Sequence, residues 1–269
     1  MERSKLSLRE PTHFIATPSA NQINDSADTP ESKAVQFHER IAELKQTYHY
    51  KESDIINMDE TPVWFDMPVK QAVDVKGKKQ VVMVKQGNNR QKVTVVLACA
   101  ADGTKLPPVV IAKGSGRRQT QPVMVDGIPV WRQKSGTMTA ELMIKWLKFQ
   151  FSEPEPDTTD GSKRLLIYDS FSGHLTDDVK KQVAASKLHL AVIPGGCTGL
   201  CQPLDLTVNR SFKARLRKNM AKTIRRQKPL APRGQRQKQR LTLLVASVKK
   251  AWDKVLPQTI TNGFVKGLR

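Results

Sequence analysis

Three aspartates stand where apolar runs break off. Leu165-Leu166-Ile167-Tyr168 is an apolar run without alternation that stops at Asp169, and such a run reads as a strand buried on both faces. Ile55-Ile56-Asn57-Met58 leads in the same way to Asp59. A third run, Leu188 to Ile193, is followed by Pro194-Gly195-Gly196 and by a helix from Pro203 with Asp205 in its first turn. Carboxylates beyond strand ends are where α/β proteins place their chemistry, and one βαβ unit with a loop brings Asp169 and Asp205 together. Clustered carboxylates suit phosphodiester cleavage by two metal ions, because they hold Mg²⁺ or Mn²⁺ while leaving positions for water and phosphate. Without metal, close carboxylates repel, so at least one pKa should rise. Each aspartate alone is an ordinary turn or helix-dipole acid; three in ordered contexts favour a metal site.

Other polar residues fit this chemistry less well. Alternation places Glu60 on the face opposite Asp59, and Asp66, Asp102 and Asp126 read as turn or loop acids. Ser172-Gly173-His174 lacks a nucleophile-elbow pattern. Cys197 and Cys201 have no second pair at zinc-finger spacing. The segment Lys113 to Arg118 contains glycine but not the P-loop spacing, so it reads as a surface loop near DNA backbone.

The blocks NMDET (57–61), YDSFSGH (168–174) and PGGCTGLCQPLD (194–205) occur in this order and resemble the catalytic domain of pogo/Tigger-type transposases of the DDE/D superfamily. The resemblance runs from about Ser4 to Phe264. It implies an α/β, ribonuclease H-like mixed sheet flanked by helices, with helical N- and C-terminal extensions. It also implies that Asp59, Asp169 and Asp205 are catalytic and bind two Mg²⁺ (or Mn²⁺) ions, with His174 in a supporting place near Asp169. DNA strand cleavage and strand transfer, a TA target dinucleotide and homo-oligomeric assembly on DNA ends follow as expectations. Two other readings remain open: a domesticated, catalytically silent DNA- or chromatin-binding protein, and a structure-specific RNA or hybrid nuclease.

The elements that must position these residues are legible in order. Residues 1–15 resemble the exit of the helix-turn-helix DNA-binding module that precedes this domain in the family, and 16–32 read as a polar linker. The catalytic domain is expected over 33–222, with a basic loop and helical extension over 223–269. Ala34, Phe37, Ile41, Leu44 and Tyr48 give one apolar helical face. Strands are expected at Val81–Val84, Val93–Cys99 and Pro108–Ile111, with turns at Gly87–Arg90 and Ala101–Thr104. Thr137 to Phe151 reads as a helix with Trp146 in the core, Glu153–Asp157 as a proline-broken loop, and Thr176-Asp177-Asp178 as a helix start. Pro229 to Gln239 reads as flexible, and Leu241 to Trp252 as a helix.

Composition narrows the partner. Lys and Arg number 45 against 25 acids, for a formal charge of +20 and a pI near 10.0, which favours a polyanion such as nucleic acid. From Leu206 to Trp252 no residue is acidic and 15 are Lys or Arg. Lys213, Arg215, Arg217, Lys218, Lys222, Arg225 and Arg226 therefore read as a DNA-binding surface leading away from Asp205, and the same run as a nuclear localisation signal. No apolar span is long enough for a bilayer, and three cysteines make no disulfide framework. The nucleus is the expected location.

Overall fold

The structure, a computed structural model, describes residues 29–65, 91–114, 121–152, 163–226 and 235–269. The expectations for 1–15 and for most of the linker, for Val81–Val84, Gly87–Arg90 and Glu153–Asp157, and for parts of the Lys113 and Pro229 segments lie outside these residues.

Among the described residues, seven strands form one mixed sheet. They are β1 (Ile55–Trp64), β2 (Lys92–Ala100), β3 (Val109–Lys113), β4 (Val123–Val125), β5 (Ile128–Gln133), β6 (Arg164–Asp169) and β7 (Leu188–Ile193), in the spatial order β4-β5-β3-β2-β1-β6-β7. Neighbours β1, β2 and β3 are antiparallel, whereas β1, β6 and β7 run parallel. The helices are α1 (Pro30–Tyr48), α2 (Ala140–Gln150), α3 (Asp177–Ala185), α4 (Thr198–Cys201), α5 (Asn209–Arg226), α6 (Arg236–Asp253) and α7 (Pro257–Gly267), with a π-helical turn, Leu204–Val208, feeding α5.

Alternation along the strands divides the core. Ile55, Val95, Leu97, Leu165 and Ile167 face a layer made by α1, α4, the π-turn and α5 to α7, whereas Ile56, Met58, Val96, Leu166 and Tyr168 face α2 and α3. The run Leu165–Tyr168 is thus buried on both faces, as its lack of alternation requires. Trp146 lies in the second layer, fully buried.

Several boundaries move. Helix α1 starts at Pro30, inside the expected linker, because Thr29 Oγ1 caps Ser32 N at 3.2 Å and proline suits the first position. Strand β1 passes through Asp59 to Trp64 instead of ending there. The hairpin β4–β5 was not expected, although Asp126 and Gly127, at φ 52 and 77, form the positive-φ Asp-Gly turn that marks a two-residue hairpin. Within the segment expected to be flexible, Arg236 to Gln239 are helical, since α6 begins at Arg236.

Helix α7 was also not foreseen, and it matters for the site. It crosses the π-turn closely, since a Cβ at Gly263 would lie 2.6 Å from Thr207 Oγ1 and 2.7 Å from the Pro203 carbonyl. Thr207 Oγ1 in turn donates to Thr259 O at 2.8 Å. The end of α6 is pinned by Lys105, whose Nζ donates to the carbonyls of Trp252, Asp253 and Val255 at 2.8–3.1 Å. A cation there complements the helix dipole.

Candidate active site

Strand register puts the first two aspartates on one face of the sheet. The last β1–β6 pair is Asn57↔Ile167, and Asp59 and Asp169 each lie two residues further on. With a period of two, both occupy the sheet face shared with Ile55, Asn57, Leu165 and Ile167, the face covered by the π-turn that bears Asp205.

Two buried amides lock these segments to one another. Asn57 Nδ2 donates to Ile167 O at 3.0 Å and to Gln202 Oε1 at 3.1 Å, while its Oδ1 accepts from Leu204 N at 3.0 Å. Gln202 Nε2 donates to Met58 O at 3.0 Å. Both side chains are fully buried. Each bond ends within three residues of an aspartate, so the network fixes the spacing of all three. Neither residue was singled out from sequence. The signal was an amide inside the strand of NMDET and another before the proline of QPLD, each polar where the neighbours are apolar.

Asp59 and Asp205 share one donor. Asn209 Nδ2 lies 2.6 Å from Asp59 Oδ2 and 2.8 Å from Asp205 Oδ1. Burial, and next the Asp205 carboxylate, push the Asp59 pKa up to about 7, against the lowering effect of the Asn209 hydrogen bond. This is the rise that crowded carboxylates require.

Asp169 is held differently. Its Oδ1 lies 3.2 Å from His174 Nδ1 and accepts from Phe171 N at 3.2 Å. The His174 ring keeps the Asp169 carboxyl below the usual range despite partial burial. His174 Nε2 is 2.7 Å from Glu60 Oε1. Burial works against a charged His174, but the adjacent Asp169 and Glu60 carboxylates more than offset it and raise its pKa to about 9. Glu60 sits on the opposite face from Asp59, as alternation requires, and reaches Asp169 only through His174.

Cys197 Sγ faces Pro30 O and Cys201 Sγ faces His38 Nε2, ties between α4 and α1. Hard oxygen donors at Asp59, Asp205 and Asp169 match Mg²⁺ or Mn²⁺, and the disfavoured charge on Asp59 is what a cation would relieve. Among the described residues, no three His, Cys, Asp or Glu side chains already converge on one point.

The basic residues of α5 do not share one face. Phe212, Leu216 and Met220 form its buried row, continuing from Val208 of the π-turn. Lys213 and Arg217 follow Asn209 at i, i+4 spacing along one flank, half-buried, while Lys218 and Lys222 are exposed on the other. Arg215 Nε donates to Lys254 O at 2.7 Å and its Nη1 to Ser211 Oγ at 2.6 Å, so it holds α6 to α5. Arg225 and Arg226 end the helix, and their side chains lie outside the described part of the structure. Among the described residues, no helix is long and apolar enough to cross a membrane.

Comparison with known proteins agrees with this architecture. The model of the DDE superfamily endonuclease family matches residues 90–264. The human Pogo transposable element with KRAB domain is 29% identical over 267 residues, covering 99% of this chain and 42% of that protein. The human Pogo transposable element with ZNF domain is 32% identical over 167 residues, 62% of this chain and 11% of that protein. The chain thus spans less than half the length of these relatives. The Mos1 transposase paired-end complex with left transposon end matches with a TM-score of 0.54 at 9% identity, covering 94% of this chain and 62% of that one. The Mos1 catalytic domain with raltegravir and Mg gives 0.54 at 10% identity, covering 92% of each chain. These likenesses show the ribonuclease H-like fold. With the family model spanning Asp169 and Asp205, and a pogo relative aligned over nearly the whole chain, the protein belongs to the DDE superfamily endonucleases of pogo/Tigger type.

Proposed function

We propose that this chain is the catalytic domain of a DNA transposase that cuts DNA strands and joins 3′-ends to a target. Asp59, Asp169 and Asp205 are its metal ligands, for two ions of Mg²⁺ or Mn²⁺. The observation that carries the reading is the pairing of Asp59 with Asp205 through one amide, with Asp59 pushed up to about 7 by burial and by its neighbour. Bound divalent cations would supply Lewis acidity at the scissile phosphate.

The chain's own residues have separable tasks. Asn57 and Gln202 hold the three acidic segments in register. His174, protonated at neutral pH, orients Asp169 through contact at Oδ1 and leaves Oδ2 for a cation. Lys213 and Arg217 line the flank that continues from Asn209, where they can meet DNA phosphates. DNA, a homo-oligomer on DNA ends and a nuclear location belong to the same proposal.

A second reading, a domesticated and catalytically silent DNA- or chromatin-binding protein, draws on the way Asp169 is held by His174, apart from the pair that Asn209 links. Nicking of supercoiled plasmid separates the two. The transposase reading expects nicking with Mg²⁺ or Mn²⁺, none in EDTA, and its loss in Asp59→Asn, Asp169→Asn and Asp205→Asn while each variant still melts cooperatively as a folded protein. DNA binding without metal-dependent nicking would establish the second reading. Preference for an RNA–DNA hybrid over duplex DNA would point to a structure-specific nuclease.

A further inference from the structure

Asn209 is the first residue of α5, almost fully buried, and its amide is unevenly satisfied. Nδ2 donates to carboxylate oxygens of both Asp59 and Asp205, at 2.6 and 2.8 Å. Its Oδ1 is equally buried and has no hydrogen-bond partner among the described residues. An unpaired buried acceptor is unfavourable, so the orientation is set by the two carboxylates and not by the surroundings of the oxygen. The π-turn helps to fix it. Asn209 N bonds to Leu204 O, five residues back, and the side chain sits one turn beyond Asp205.

A divalent cation held by Asp59 and Asp205 would compete with Asn209 wherever it drew on Asp59 Oδ2 or Asp205 Oδ1, the oxygens that now accept from the amide. Each carboxylate keeps a second oxygen besides. Mg²⁺ binds oxygen at about 2.0–2.1 Å, closer than any N–H donor, so a cation entering from the side of the amide would displace it from those oxygens. We propose that Asn209 is a placeholder for the cation: its NH₂ group holds Asp59 and Asp205 together in the metal-free protein and gives up both when metal enters. Asn209 is thus a positioning residue that competes with the metal. The proposal rests on the reading of Asp59 and Asp205 as metal ligands.

The test uses the full chain without DNA. Mn²⁺ binding is measured by electron paramagnetic resonance, and melting in EDTA and in saturating Mn²⁺, for wild type, Asn209→Ala and the similarly sized Asn209→Leu, which has no donor. A placeholder predicts that the variants bind Mn²⁺ more tightly, by about tenfold if one charge-assisted bond no longer competes. It also predicts a larger loss of melting temperature in EDTA than in Mn²⁺. Weaker Mn²⁺ binding in both variants would make Asn209 a ligand and overturn the proposal. Unchanged affinity with equal losses in the two conditions would reduce it to a packing residue and overturn it too. Failure of the wild type to bind Mn²⁺ would instead sink the metal-site reading, and the placeholder with it.

Discussion

Burial and the neighbouring Asp205 carboxylate both disfavour charge on Asp59, so its folded pKa of about 7 stands above the ordinary carboxylate value of 3.8. The linkage has a definite sign. Relative to the unfolded chain, this group contributes stability that is fully present below about pH 4. That contribution is lost as pH rises towards 7, where the folded group ionises in a site that resists it. Metal-free protein should therefore melt lower at pH 8 than at pH 6 so far as Asp59 decides. Asp59→Asn keeps an acceptor for Asn209 and removes the charge. At pH 8 in EDTA it should raise the melting temperature by about 2–8 °C, taking a relief of about 1–2 kcal/mol in a domain of this size. At pH 4 it should change little. A variant that melts lower than wild type at pH 8 would mean that the carboxylate is stabilised by interactions other than those seen. His174 runs the opposite way in its cause. It gains partners in Asp169 and Glu60, so its contribution is present below its unfolded pKa and fades as pH rises through about 9.

At the scale of elements, the site depends on how β1, β6 and the π-turn are fastened. Asn57→Leu would leave Ile167 O, Gln202 Oε1 and Leu204 N without this partner, at about 1–3 kcal/mol for each buried group that finds no other. Asn57→Asp keeps the acceptor for Leu204 N but sets a buried carboxyl against two acceptors, Ile167 O and Gln202 Oε1, so it too should melt below wild type. If the amides position the acids, both variants lose metal-dependent nicking, and the better-folded of the two does not recover it. Full nicking by Asn57→Asp would limit the network to stability. Helix α7 is tested at Gly263, where a side chain would meet Thr207 and the Pro203 carbonyl. Gly263→Val should displace α7 or the π-turn and lower the melting temperature. These elements also show what sequence could reveal. The β6 strand and helix α2 were legible because local pattern decides them, although α2 starts later than Thr137, at Ala140, where Thr139 accepts from Leu142 N at 3.3 Å. The Asp126-Gly127 hairpin was legible in principle through its turn chemistry. Asn57 and Gln202 were not, because an amide's partner is a tertiary fact: the two residues meet across 145 positions of sequence. Helix α7 was missed because Gly263 and Gly267 weaken a helical pattern for a reason that appears only once the π-turn and α4 lie against them.

For the whole molecule the governing quantity is the +20 charge and where it can reach a phosphate. A continuous basic run suggested one DNA-binding face, but helical geometry splits it. Lys213 and Arg217 lie on the Asn209 flank, Lys218 and Lys222 on the other, and Arg215 is engaged with Lys254. Counterion release makes the split measurable. Binding of nonspecific duplex should weaken by roughly 10³–10⁵ between 50 and 200 mM salt if six to ten phosphates are neutralised. Replacing Lys213 and Arg217 together with Ala should lower the salt slope by about 2, near one for each phosphate left without its cation. Lys218→Ala with Lys222→Ala should lower it less if DNA follows the flank beside the aspartates. Arg215→Ala should leave the slope nearly unchanged and lower the melting temperature, since its hydrogen bonds join α5 to α6 rather than meeting solvent. Equal slopes for the first pair and the wild type would remove that flank from the DNA path, whatever the second pair did. A reduced slope for Arg215→Ala at unchanged melting temperature would mean that its guanidinium leaves Lys254 for DNA, and the basic surface would then have to be redrawn around the α5–α6 junction.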